Sequence, residues 1–208
     1  MKKILMAAMA IIVALGNLNA QPKDNERAWW KQAKQFAKSM TKEGWKIDGS
    51  TPLENAFYEH IKKTHMGEEE IISDVSENNN AQTLNLAKQW ASANAASMYA
   101  REAGAKVTAA LDNALLDGAI KRESKDQISM SYQSAVQKTI SGELQKSFGM
   151  YKVLKNGNIV YKAYYTVPEE ISRQARVYAL DNVKREIELA PELQEQLTKY
   201  AMKSIKSE

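Results

Sequence analysis

Cysteine is absent from this 208-residue chain. No disulfide can staple the fold, and no thiolate is available as a nucleophile or a metal ligand. Histidine is almost as scarce, with only His60 and His65. Their separation does not stack them on one helical face, as the i, i+4 spacing of a zinc pair would. Glu59 and Glu68 complete a metal shell around them only if the following loop folds back, so these side chains read as ordinary helix-surface groups. A Gly-x-Ser-x-Gly elbow is missing, no third partner marks a Ser–His pair, and there is no glycine-rich phosphate loop. Glu68, Glu69 and Glu70 form a solvated charge run, with no cleft in view that would pair two carboxylates for hydrolysis. The pattern points away from an enzyme, and no catalytic residue, metal or cofactor is expected.

Long apolar runs are lacking except at the start. Lys2 and Lys3 precede an apolar stretch from Ile4 to Leu15, and Ala20 supplies the small residue that signal peptidase requires. This stretch is too short to cross a bilayer, which takes about 20 residues. Residues 1–20 are therefore expected to be an export signal, with the mature chain beginning at Gln21. A bacterial lipoprotein carries a cysteine at that junction, so no lipid anchor is expected. Placement in the periplasm, at the outer-membrane periphery or outside the cell follows.

Excess charge of one sign is lacking too. The chain has 29 Lys and Arg against 25 Asp and Glu; without the two leader lysines the balance is 27 to 25, or +2. That is not a nucleic-acid-binding pattern. With 44% hydrophobic and 26% charged residues, residues 21–208 suit a single α+β domain. Its expected subregions are helix–strand–helix at 23–67, helix–hairpin–helix at 81–190 and a last helix at 192–206.

Residues 23–42 have the period of an amphipathic helix. Trp29, Ala33, Phe36 and Met40 recur at helical spacing, while Lys31, Lys34, Lys38 and Lys42 fall on the other side. Gly44 stops it, Trp45-Lys46-Ile47 reads as a short strand, and Pro52 opens a helix with Leu53, Phe57, His60 and Ile61 inward. The polar stretch Glu68–Asn80 reads as exposed loop. The longest signal is a helix from about Ala81 to Asp117, with thirteen alanines between Ala81 and Ala119. Its expected buried stripe is Leu86, Trp90, Ala93, Ala96, Ala100, Ala103, Val107, Ala110 and Ala114, and Gly104 is expected to mark a bend. Ile128, Tyr132, Val136 and Ile140 favour a helix over Glu123–Lys138, although the Ser, Thr and β-branched content leaves a strand possible.

Asn156-Gly157 predicts a two-residue type I′ hairpin pairing Leu154 with Ile159 and Val153 with Val160. One face would carry Phe148, Met150, Leu154, Ile159, Tyr161, Ala163, Tyr165 and Val167 towards the helices, with Lys152 its exception. Tyr151, Val153, Val160, Lys162, Tyr164 and Thr166 would lie on the other. Pro168 then opens a helix with Ile171, Ala175, Tyr178 and Asn182 in one line. A final helix carries Leu193, Leu197, Tyr200, Ala201 and Ile205.

The alternating alanines of Ala87–Ala110 and the Tyr-rich strand Asn158–Val167 resemble the small envelope-protein family typified by lipoprotein-20 and by the N-terminal domain of flagellar assembly protein T. The resemblance spans under half the chain and departs from the lipoprotein pattern in lacking the acylated cysteine. It implies an alanine-rich helix packed on a small antiparallel sheet, in a non-enzymatic envelope module.

The reading is an α+β protein whose long alanine-rich helix and shorter helices pack on one face of a small antiparallel sheet containing a hairpin. Its expected role is binding or structural, with an envelope protein or the outer-membrane surface as partner and no membrane-spanning helix in the mature chain. The alternative is a membrane-surface protein using the basic helix 29–40 through Trp29, Trp30, Lys31, Lys34 and Lys38. An exported hydrolase with an unrecognised site is the third reading. Tyr151 and Tyr164 are the candidate ligand platform on the hairpin.

Overall fold

A computed structural model describes residues 22–65, 69–118, 120–186 and 189–202. The expected leader at 1–20, Glu68 and Ile205 lie outside them. The chain runs α1 (Pro22–Lys42), β1 (Lys46–Ile47), α2 (Leu53–His65), β2 (Glu69–Ala81), α3 (Leu84–Leu116), α4 (Arg122–Ile140), β3 (Gln145–Val153), β4 (Ile159–Pro168), α5 (Glu169–Glu186) and α6 (Pro191–Met202). The strands form one antiparallel sheet in the order β1-β3-β4-β2. The α+β class read from the sequence is the class observed.

Local chemistry sets the helix ends. Gly44, at φ +86°, takes the left-handed position after α1. Its N–H bonds to Thr41 and that of Trp45 to Met40. This is a Schellman closure, and Trp45 packs into the same cluster as Met40. Thr83 caps α3 by accepting from the Leu86 N–H at 3.2 Å. Gly118, at φ +71°, follows its last turn.

Helices cover both faces of the sheet, which corrects the one-face expectation. Along β4, Tyr161, Ala163, Tyr165 and Val167 enter a cluster with α3, α4, α5 and α6. Tyr164, on the opposite side of the pleat, joins Phe148 and Met150 in a cluster with α1 and α2. Every residue from Ala163 to Val167 is buried, so neither face of β4 can be left to water.

Hairpin register is corrected by one residue. Val153 pairs with Ile159, Lys152 with Val160 and Tyr151 with Tyr161. The Leu154 N–H bonds to Asn158 and the Gly157 N–H to Leu154, with Gly157 at φ +84°. This is a three-residue loop with the glycine in the left-handed bulge position, not a two-residue type I′ turn. The extra residue shifts the parity of β3 against β4. Phe148 and Met150 therefore face α1 and α2, whereas Tyr161 and Tyr165, buried as anticipated, face α3.

Three other segments depart from their expected form. The polar stretch read as loop is strand β2, paired with β4 from Glu69↔Pro168 to Ser76↔Tyr161. The backbone of β4 requires hydrogen-bond partners on that side, and ladder formation does not depend on apolar side chains. In the N-terminal half of α3 the buried line is Ala87, Ala91, Ala95 and Tyr99, with Ala93 exposed. Gly104 marks a close approach: a Cβ there would lie 2.5 Å from Cγ of Gln133 on α4. On α5, Ser172, Ala175, Arg176, Ala179, Leu180 and Val183 are buried while Tyr178 is exposed.

Candidate functional site

Three polar groups are drawn into or against the core, each from a segment whose sequence looks ordinary. Asp48 follows β1 and donates its backbone N–H to Gly149 on β3 at 2.8 Å. Its Oδ1 accepts from Lys88 of α3 at 2.7 Å, and its Oδ2 from Tyr161 of β4 at 2.7 Å and Lys146 of β3 at 3.0 Å. Tyr161 can reach because position 149 is glycine: a Cβ there would sit 1.9 Å from the phenol oxygen. Burial pushes the Asp48 carboxyl up, but the hydrogen bonds from Lys88, Tyr161 and Lys146 outweigh it and hold the group at about 2. Burial first, then the Asp48 carboxylate, pushes the Tyr161 phenol upward. A carboxylate with so low a pKa is a poor proton acceptor at neutral pH. Its chemistry is that of a joint between β1, β3, β4 and α3.

Arg176 is buried between helices. Its Nε donates to the Ala201 carbonyl of α6 at 2.9 Å, and its Nη1 donates to Ser172 Oγ at 3.3 Å and to Tyr99 of α3. Tyr132 of α4 lies close enough to feel the guanidinium charge; burial raises its phenol and Arg176 opposes that. One side chain thus joins α5 to α3 and α6.

His60 on α2 is enclosed by rings, with centroids 5.3 Å from Tyr164, 5.7 Å from Phe148 and 6.3 Å from Phe57. Its Nδ1 has no hydrogen-bond partner among the described residues. Burial, reinforced by the charges of Lys63 and His65, lowers its pKa to about 4, so the ring is neutral near pH 7. His65 stands edge-on to Trp29 at 5.2 Å. Among the described residues no group of three or more His, Asp or Glu side chains gathers as a metal site.

The nominated surfaces fare differently. Tyr164 is 5% exposed and stacked on Phe148 at 4.6 Å. Tyr151 is half-buried against the α3 side. The two tyrosines lie on opposite faces of the sheet, so they form no common ligand platform; the one-residue register shift separates them. Trp29 and Trp30 are partly buried, Trp30 edge-on to Tyr58 of α2 at 5.2 Å. Lys31, Lys34 and Lys38 are exposed. Among the described residues no helix is long and apolar enough to cross a membrane.

A groove of about 900 Å³ lies between the end of α3 and α6, lined by Asn113, Leu116, Asp117, Thr198, Tyr200 and Met202 among others. Leu116 is 84% exposed there. None of the three polar joints opens into it.

Asp48, Lys88, Lys146 and Arg176 escaped the sequence reading. For Arg176 a signal existed: Ala175, Ala179, Leu180 and Val183 define an apolar sector of α5 that includes position 176. For Asp48 there was none, since its partners lie 40, 98 and 113 residues away along the chain. No known family, curated protein or solved structure matches this chain.

Proposed function

We propose that this protein is an exported, non-enzymatic module of the bacterial cell envelope, acting by binding or by structure in the periplasm or at the outer-membrane periphery. One observation carries the reading. The groups whose acid–base properties the fold shifts strongly, Tyr161, Tyr132, His60, Tyr164 and Asp48, are engaged in joining elements or filling the core. A catalytic group needs its reactive atom directed at a substrate-sized space. The leader-like segment 1–20 supports export, and the alanine-rich helix lying over a small antiparallel sheet accords with the envelope family that the chain resembles.

Fractionation of the producing cells with N-terminal sequencing tests this directly. The expected result is a chain beginning at Gln21 in the exported fraction and no turnover across a broad hydrolase screen. A cytoplasmic chain retaining Met1 would overturn the export reading. Turnover that vanished in Asp48→Asn or His60→Gln, with the fold intact, would overturn the non-enzymatic one.

A further inference from the structure

We propose that the outward face of α1 docks on an anionic membrane surface through a ladder of five cations, with its tryptophans left in the protein. At 100° per residue, Arg27, Lys31, Lys34, Lys38 and Lys42 fall within a sector of about 80° and span roughly 22 Å along the axis. All five are exposed. The sector points away from Ala33, Ala37 and Met40, which are buried towards α2 and the sheet. No acidic residue occurs between Arg27 and Lys42, and none of the five makes an ion pair among the described residues. Arg173 on α5 and Lys199 on α6, by contrast, pair with Glu170 and Glu195.

The concentration of charge is marked. Residues 25–42 hold five cations and one acid, a net +4, while the chain from Gln21 onward carries +2, so everything outside this helix segment sums to −2. A convex helix face with its cations in line matches a plane of mobile anionic headgroups, which can gather beneath each side chain. It offers no groove to hold a polymer strand. Trp29 and Trp30 are engaged edge-on with His65 and Tyr58, and Lys34 Nζ lies 5.2 Å from the Trp30 ring centroid. Docking is therefore electrostatic and superficial, without burial of rings in acyl chains. The envelope reading enters only in the choice of a membrane as partner, and vesicle binding is measured independently of export.

Co-sedimentation of the chain beginning at Gln21 with vesicles of phosphatidylcholine and phosphatidylglycerol at 7:3 tests the proposal. Binding is expected at low salt, with loss at high salt and little binding to phosphatidylcholine alone. Each lysine near an anionic leaflet multiplies the partition about fivefold, so Lys31→Gln/Lys34→Gln/Lys38→Gln should lower it about a hundredfold. The control Lys121→Gln/Arg122→Gln/Lys138→Gln removes equal charge from exposed positions on and beside α4 and should change it far less. Circular dichroism checks that both variants fold. The proposal fails if wild-type protein ignores anionic vesicles at low salt, or if the two triple variants lose binding equally. Binding to heparin without binding to vesicles would also overturn it. So would binding to neutral vesicles with blue-shifted tryptophan emission, which would mean ring insertion.

Discussion

The two sides of the sheet are built on different principles. Above it, α3 presents Ala87, Ala91, Ala95, Ala96, Ala100, Ala103 and Ala110, and Tyr99, Tyr132, Tyr161 and Tyr165 fill the space around them. Below it, Phe36, Phe57, His60, Phe148 and Tyr164 fill the gap to α1 and α2 with stacked and edge-on rings. An alanine buries little area, so the share that α3 itself contributes comes from many small increments. The upper layer also carries the long polar joints, Asp48 to Lys88 and Arg176 to Tyr99 and Ala201. The aromatic layer concentrates its area in a few residues, and its most buried polar group, His60, is held among rings.

Removing one ring below the sheet should therefore cost more than altering any single alanine above it. Phe57 stacks on Phe36 at 3.9 Å and meets Phe148 and Tyr164 edge-on. Phe57→Ala should lower unfolding free energy by about 3–5 kcal/mol in urea titration. A loss below about 1 kcal/mol would show that the lower layer is not a packed core.

The two layers should also part company on acidification. His60 titrates lower in the folded chain, about 4 against an ordinary 6.5. Its contribution is present above 6.5 and is lost as pH falls from 6.5 towards 4, amounting to about 3 kcal/mol at the lower limit. Asp48 is held at about 2, below its ordinary 3.8, so its contribution is lost only as pH falls from about 3.8 through 2. Thermal melts between pH 7 and 4 should show a decline that His60→Leu largely removes. An unchanged slope in that variant would place the pH sensitivity elsewhere.

Bulk added to the alanine layer comes next. Ala100 is 2% exposed, and Ala100→Leu should destabilise by about 1–3 kcal/mol through overpacking. Ala93→Leu, at a site exposed to solvent, should stay within about 0.5 kcal/mol. Equal losses at the two sites would contradict the observed rotation of the buried line on α3. Among the variants at buried and half-buried groups, the smallest effect belongs to Asp48→Asn. Two of its partners, Lys88 and Lys146, are 34% and 41% exposed, and solvent screening leaves about 1 kcal/mol at pH 7. A double-mutant cycle with Lys88→Met measures the coupling.

Legibility in the sequence followed the range of the interaction. The C-terminal ends of α1 and α3 could be read because Gly44 and Gly118 act on backbone groups a few residues away. Ile128, Tyr132, Val136 and Ile140 declared α4 because all four fall on one helical face, and all four are buried. The candidate surfaces divided in the same way. Lys31, Lys34 and Lys38 share a face by local periodicity and are exposed as read, whereas Tyr151 and Tyr164 were joined across a hairpin whose parity turned on one loop residue. Strand β2 was missed because the sequence Glu69–Asn80 is rich in Glu, Ser and Asn, although its backbone answers the need of β4.

By itself, then, the sequence determined the absence of disulfide and thiol chemistry, the α+β class, most helical segments and the cationic stripe of α1. Each of these is a property of composition or of neighbours within a few turns. Only the tertiary structure decided that both faces of the sheet are covered, that β2 is a strand, and that Arg176 reaches Tyr99 and Ala201. It alone brought residues 48, 88, 146 and 161 to one carboxylate. Those outcomes rest on contacts between chain-distant elements, whose geometry depends on how layers pack and not on any local period.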